Sequence, residues 1–266
     1  MRGRINMLAL LLPMLLSLAS CATTPGGPSL NLVSKPEEVR LGKELSSKIE
    51  QEQSVLQNPI LEQYVSGVGQ RVAQQAGTPE IPYTFKIIDR NEVNAFSLPG
   101  GPVYVYTGLL KIVDNEAELA AVLAHEVAHV AARHATEQLT RKYGLELVTE
   151  VLLGQNPNAA AQVASDIAGS LGLLKFSRTD EIEADRLGTG YLFRAGYNPT
   201  AMISIHEKLA ALQKTNPSLV LNLFSTHPMS RSRIDAIAEE IATFPAGANV
   251  GYYRERYHEI VDRELR

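Results

Sequence analysis

His125-Glu126-Val127-Ala128-His129 decides how this chain is read, because its spacing specifies a chemistry. On a helix of about 3.6 residues per turn, positions four apart stack on one face. His125 and His129 then present two imidazoles to one point, where both can ligate a single zinc ion. Glu126 sits about 100° further round and reaches a metal-bound water, whose pKa zinc lowers to roughly 7. A carboxylate there takes the water's proton and directs hydroxide at a peptide carbonyl. The flanking residues suit a helix. Asp114 offers an N-cap, Glu116 and Glu118 fit the first turn, and no Gly or Pro interrupts the run to Lys142.

The start of the chain reads as a sorting signal. Arg2 and Arg4 precede an apolar stretch from Leu8 to Leu18 that is short for a bilayer span. It closes on Leu18-Ala19-Ser20-Cys21, which resembles the bacterial lipobox, where cleavage precedes the Cys and its thiol is acylated. Cys21 is the single cysteine, so lipid attachment explains both its presence and its solitude. Acyl chains would anchor the protein to a membrane without spanning it. Ala22 in place of Asp resembles the Gram-negative signal for the outer membrane, with the domain on its periplasmic face. The expected division is therefore 1–20 signal peptide, 21–35 lipidated Cys and flexible tether, and 36–266 one metallopeptidase domain. A net charge of −4 and the lack of a basic stripe argue against a nucleic-acid partner.

Ser34-Lys35-Pro36-Glu37 is a capping-box pattern and predicts a helix to about Gln57. Asn58-Pro59 caps a second helix, with Leu61, Tyr64, Val65, Val68 and Val72 at helical spacing until Gly77. The period then changes. Tyr83 to Ile88 and Val103 to Thr107 are β-branched and aromatic runs bounded by Pro and Gly, hence strands, with Asn94 to Ser97 a short strand between them. Helices dominate the remainder. Residues 145–174 carry few charges, but Gln155 to Asn158 and Asp166 interrupt any spanning run, which favours a pair of buried or site-covering helices over membrane contact.

A catalytic zinc needs a third protein ligand and an open position. Ala132 and Ala135 exclude the pattern in which a third histidine follows on the same segment. Arg178-Thr179-Asp180-Glu181-Ile182-Glu183-Ala184-Asp185 offers carboxylates instead, or else a solvated acidic face. Glu181 and Asp185 share a helical face, while Glu183 points elsewhere. Glu181 as ligand, with Asp185 fixing the tautomer of a ligand histidine, follows the usual logic of zinc sites.

Four separated segments together resemble one family, the zinc endopeptidases that include the CAAX prenyl proteases, HtpX and BepA. They are Asn94-Ala95-Phe96 with Pro99-Gly100-Gly101, the His125 to His129 motif followed by Arg133-His134, Glu181-x-x-x-Asp185, and Thr226-His227-Pro228. Their order and spacing match from about residue 36 to residue 240. The resemblance implies Glu181, not Glu183, as third ligand, and one zinc per chain. It is closest to compact, lipid-anchored periplasmic members, since neither multiple spans nor a long C-terminal repeat extension is visible.

The resemblance also places His227 near the site, where it either donates to the tetrahedral oxyanion or fills the open zinc position and keeps the enzyme latent. His134, about 500° round the helix from His129, should face away from the metal and be structural. Arg231 and Arg233 read equally as helpers or surface charges. His206 and His258 have no motif context. Asn94, Ala95 and Phe96 would form an edge strand that pairs with an extended substrate, with Gly100 and Gly101 turning the chain beside it.

The expected fold is α+β: a mostly helical, zincin-like domain with a small, mainly antiparallel sheet beside the motif helix. The expected function is zinc-dependent endopeptidase action on unfolded or misassembled envelope proteins. A chaperone or assembly factor for outer-membrane proteins, using the same cleft to bind, is the rival. The outer-membrane assembly machinery is a possible partner in either case.

Overall fold

The computed structural model describes residues 33–159, 161–163 and 175–265. The signal segment, Cys21, nearly all of the tether and residues 164–174 lie outside the described residues.

Helix α1 (Lys35–Glu52) begins where predicted: the Glu37 carboxylate reaches back to accept the Ser34 backbone N–H at 2.9 Å. It stops at Glu52 instead of near Gln57 because the chain leaves to pair with a strand. Leu56 N–H donates to the Ile87 carbonyl, and Asp89 N–H to the Ser54 carbonyl, each at 2.8 Å. Helix α2 (Pro59–Ala73) has the predicted cap, the Asn58 side chain accepting Leu61 N–H at 3.1 Å.

Strands β1 (Thr84–Ile88), β2 (Ala95–Ser97) and β3 (Pro102–Tyr106) form one sheet in the order β1-β3-β2. The sheet is mixed, with β1 parallel and β2 antiparallel to β3, where a mainly antiparallel sheet was expected. The reason lies in the connections. The Leu98–Gly101 bend folds β2 back on β3, while the loop after β1 carries the chain past β3 to the far edge. Gly100 and Gly101, at φ 72° and 123°, make that bend. A Cβ on Gly100 would lie 2.4 Å from the Val39 Cα of α1. These glycines thus seat the bend against α1.

Along β3, Val103 and Val105 join a core with α2 and the motif helix, while Tyr104 and Tyr106 join a second core with α1. Both faces of the sheet are therefore covered.

After the short α3 (Thr107–Leu110) comes the motif helix α4 (Glu116–Ala131). Its cap is Asn115, which accepts Glu118 N–H at 3.0 Å. Asp114, the expected cap, instead pairs with Lys208 at 2.8 Å. Helix α4 ends at Ala131, short of the expected Lys142, and Arg133 takes a left-handed φ of 64° before α5 (His134–Leu152) starts. In the described part of 145–174, Val148 and Val151 pack with Leu41 and Leu45 of α1, which puts that stretch of α5 on the second core.

Helices α6 (Arg178–Arg194), α7 (Thr200–Thr215), a 3-10 turn (Pro217–Val220), α8 (Leu221–Thr226), α9 (Arg231–Ile241) and α10 (Arg254–Glu264) complete the chain. The buried Glu116 carboxylate ties several elements together. It accepts the hydroxyls of Tyr64 at 2.8 Å and Tyr197 at 2.7 Å, and pairs with Arg256 of α10. No described helix is long and apolar enough to cross a membrane.

Candidate metal centre

Helix α4 turns its histidines toward α6, and Gly188 lets the two helices close. A Cβ on Gly188 would sit 3.1 Å from the Ala124 carbonyl and the His125 amide nitrogen. Asp185 and Glu181 lie on the preceding turns of the same face, so this approach carries both carboxylates to the histidines. From the other side, Pro228 bars its neighbour His227 from helical geometry. Helix α8 therefore ends at Thr226, and the His227 ring turns into the site.

Ligating atoms of His125, His129, Glu181 and His227 all lie within 4.8 Å of one another, and all four residues are buried. His125 Nε2 is 3.0 Å from His129 Nε2 and 3.3 Å from His227 Nδ1. His227 Nδ1 is 2.9 Å from Glu181 Oε1. The Glu181 oxygens lie 3.5 Å from His129 Nε2 and 3.6 Å from His125 Nε2. Donors about 2.0–2.1 Å from a tetrahedral zinc stand roughly 3.4 Å apart, so the spacing fits a four-coordinate cation. Three imidazoles and a carboxylate at this spacing form a donor set that suits zinc.

The electrostatics of His129 and Glu181 agree with this. Burial holds His129 well below the usual histidine range, which keeps the ring neutral and able to ligate. Burial pushes the Glu181 carboxyl up, but His227, His129 and Arg233 outweigh it and hold the group well below the usual carboxylate range. Burial likewise pulls His227 down, but Glu181 and Glu126 overcome it and raise the group.

Glu126 stands beside this cluster with its Oε2 accepting the Ser97 hydroxyl of β2 at 2.9 Å and its Oε1 3.7 Å from His227 Nε2. Asp185 Oδ1 lies 2.9 Å from His125 Nδ1. The Arg233 guanidinium grips the same carboxylate with two prongs, at 2.6 and 2.8 Å, and reaches Glu181 Oε2 at 2.6 Å. Beside Glu126 an apolar recess is walled by Val122, Ile205, Leu209, Leu223 and Phe224, with a volume of about 40 Å³. That is room for no more than a few waters.

Several sequence expectations change. His134 is not among the clustered donors, as expected, but it is not remote from the site: its Nδ1 is 2.9 Å from His129 Nδ1. The projection assumed one continuous helix, and the turn at Arg133 swings His134 back onto the ligand. Glu183, expected to point elsewhere, is not in the metal cluster but has its Oε2 3.5 Å from His134 Nε2. Arg233, undecided from sequence, is 3% exposed and part of the site, whereas Arg231 is a surface partner of Asp235. His206, without motif context, donates from Nδ1 to the Met202 carbonyl at 2.8 Å and puts Nε2 3.4 Å from Asp185 Oδ1. Phe176 was not singled out, yet its ring stacks on His129 with centroids 4.0 Å apart. Its position beside the acidic segment was the only available signal.

The anticipated substrate strand is at the sheet edge. Tyr106 N–H donates to the Asn94 carbonyl and Leu98 N–H to the Pro102 carbonyl, so alternation turns the Ala95 and Ser97 backbone groups outward. Asn94, Ala95 and Ser97 are nevertheless buried in this structure, and Phe96 stacks on Tyr104 in the second core.

With this geometry established, comparison with known proteins defines the class: the chain belongs to peptidase family M48, whose model matches residues 59–241. Among its relatives is the beta-barrel assembly-enhancing protease of Escherichia coli K12, 33% identical over 79% of this chain and 44% of that protein. Two others are the mitochondrial metalloendopeptidases OMA1 of Schizosaccharomyces pombe, 34% identical over 66% of this chain and 52% of that protein, and of Arabidopsis thaliana, 30% identical over 84% and 45%. The chain spans about half the length of the relatives it matches.

Proposed function

We propose that the chain is a zinc-dependent endopeptidase whose ligands are His125, His129 and Glu181, with His227 in the fourth position of the resting enzyme. The observation that carries this reading is the convergence of those four buried donors next to Glu126. A bound zinc would supply Lewis-acid polarisation of the attacking water and the substrate carbonyl. Glu126 then takes the water's proton and passes it to the leaving amine, while Ser97 holds its carboxylate in place. Asp185 fixes the His125 ring, and Arg233 fixes Asp185.

The buried edge of β2 and the small recess beside Glu126 support a closed resting state. Release of His227 would free the fourth position, leaving its ring to donate to the oxyanion. An extended chain pairing along Ala95 and Ser97 gives affinity with limited sequence reading, which suits unfolded or misassembled protein substrates. The lipobox-like segment at Cys21 supports a lipid-anchored setting at the periplasmic face of the outer membrane, and the relatives from Escherichia coli and Yersinia pestis fit a Gram-negative envelope. The relatives called beta-barrel assembly-enhancing proteases favour work alongside the outer-membrane assembly machinery.

The edge strand also admits a second reading, a chaperone that holds such chains without cutting them. Purified full chain incubated with an unfolded protein, with and without a chelator, separates the two. Chelator-sensitive cleavage supports the peptidase, and tight binding without cleavage by zinc-loaded protein supports the chaperone.

A further inference from the structure

The Arg133-His134 pair belongs to the motif segment, yet neither residue ligates or touches substrate in the reading above. Arg133 is one of two described non-glycine residues with a left-handed backbone, at φ 64° and ψ 26°. Such a conformation persists where its surroundings enforce it, and it gathers at functional sites. The enforcing contacts are with α1. Arg133 Nε donates to Glu38 Oε2 at 2.6 Å, its Nη2 donates to the Val33 carbonyl, and the Thr136 hydroxyl donates to Glu38 Oε1. Glu38 is 2% exposed, so one buried carboxylate clasps both sides of the turn between α4 and α5.

The turn sets where His134 goes, and the protons follow. His129 directs Nε2 at the other ligands, so its ring proton is on Nδ1. His134 Nδ1, 2.9 Å away, must accept that proton, which leaves the His134 proton on Nε2, facing Glu183 at 3.5 Å. His134 thus serves as the acceptor behind the ligand histidine, with the Glu183 carboxylate 3.5 Å beyond it. It orients the His129 ring and strengthens it as a donor.

We propose that Arg133, held by Glu38 of α1, is a positioning residue for the metal centre, acting through His134 on His129. The first helix of the domain thereby takes part in metal retention. The inference rests on the metal-site reading above, and the test separates the two.

Zinc affinity of the full chain is measured by competition with a chromophoric chelator, with the melting temperature of each metal-free protein recorded in parallel. Arg133→Gly tolerates the backbone but loses the clasp, and Glu38→Gln loses its charge. Both are expected to weaken zinc binding by about 10-fold, and His134→Phe by about 10- to 100-fold. His134→Asn, whose Oδ1 can take the place of Nδ1 as acceptor, is expected to restore binding to within about threefold. Should Arg133→Gly not fold, Arg133→Lys, which keeps the charge and loses the fork, replaces it. Zinc affinities of the clasp variants equal to wild type, whatever their melting temperatures, would overturn the proposal while leaving the metal site intact. A wild type that binds no zinc would remove the metal-site reading itself.

Discussion

His227 Nδ1 lies 2.9 Å from Glu181 Oε1, although 46 residues separate the two in sequence. Glu181 comes from the first turn of α6, and His227 from the proline-enforced end of α8. Their contact closes the fourth side of the donor cluster. A catalytic zinc keeps that position for water or substrate, whereas a site filled by four protein ligands is closed. Under the proposed reading this geometry is a resting state, which must release His227 to work.

Replacing His227 with Ala therefore separates a latch from an oxyanion donor. As a latch alone, it is expected to give way to at least about tenfold faster cleavage of an unfolded protein, as when a sparsely populated competent state becomes the main one. Zinc content should be retained through the other three ligands. A loss of about 10²-fold or more with zinc retained would instead assign His227 to transition-state stabilisation.

Arg233 is buried against two carboxylates, so removing it strands both. Arg233→Met is expected to destabilise the metal-free protein by about 3–5 kcal/mol, read by urea unfolding. Arg231→Met, at an exposed surface pair, should change stability by less than about 1 kcal/mol. Equal effects at the two positions would contradict the burial argument.

Gly188 predicts a steric result. A methyl group there meets the α4 backbone at 3.1 Å. Gly188→Val should force α6 away from α4, cost about 1–3 kcal/mol and weaken zinc binding with it. Gly67, inside α2 with nothing within 4 Å of its Cβ, is the control: Gly67→Ala should leave zinc binding unchanged and raise stability by about 0.5–1 kcal/mol through helix propensity.

The pH dependence of the contact between α1 and the sheet follows from Glu50. Burial pushes this carboxyl up, but Lys86, Tyr104 and Ser46 outweigh it and lower it. A carboxyl lowered on folding contributes stability above its unfolded value of roughly 4 and loses it as pH falls through the folded value. Because Glu50 is partly exposed, the margin of wild type over Glu50→Gln should be no more than about 1 kcal/mol at pH 7. It should shrink below about pH 4. A margin that grows on acidification contradicts this account.

The metal-binding helix, the carboxylate pair and the caps of α1 and α2 were legible because each is written in local spacing. Residues four apart share a helical face whatever the rest of the chain does. The contact of His134 with His129 was missed because one left-handed residue, Arg133, ends the helix, and nothing local forbids the helix from continuing. Arg233 stayed undecided and His206 was passed over because their partner, Asp185, lies 48 and 21 residues away and meets them through helix packing. The parallel pairing of β1 with β3 was missed for a similar reason. Strand sequences state that a sheet forms, and the connections state its order.

The central claim is a zinc peptidase in which Glu126 moves the proton. Its most direct test compares wild type with Glu126→Gln for cleavage of casein, with zinc content measured on both and His227→Ala included in case wild type is latent. The account predicts full zinc occupancy in every variant and chelator-sensitive cleavage by wild type or His227→Ala. It also predicts loss of that cleavage when Glu126→Gln is introduced into whichever is active. Cleavage that persists at the same rate with Glu126→Gln, or a wild type that binds no zinc, would contradict it.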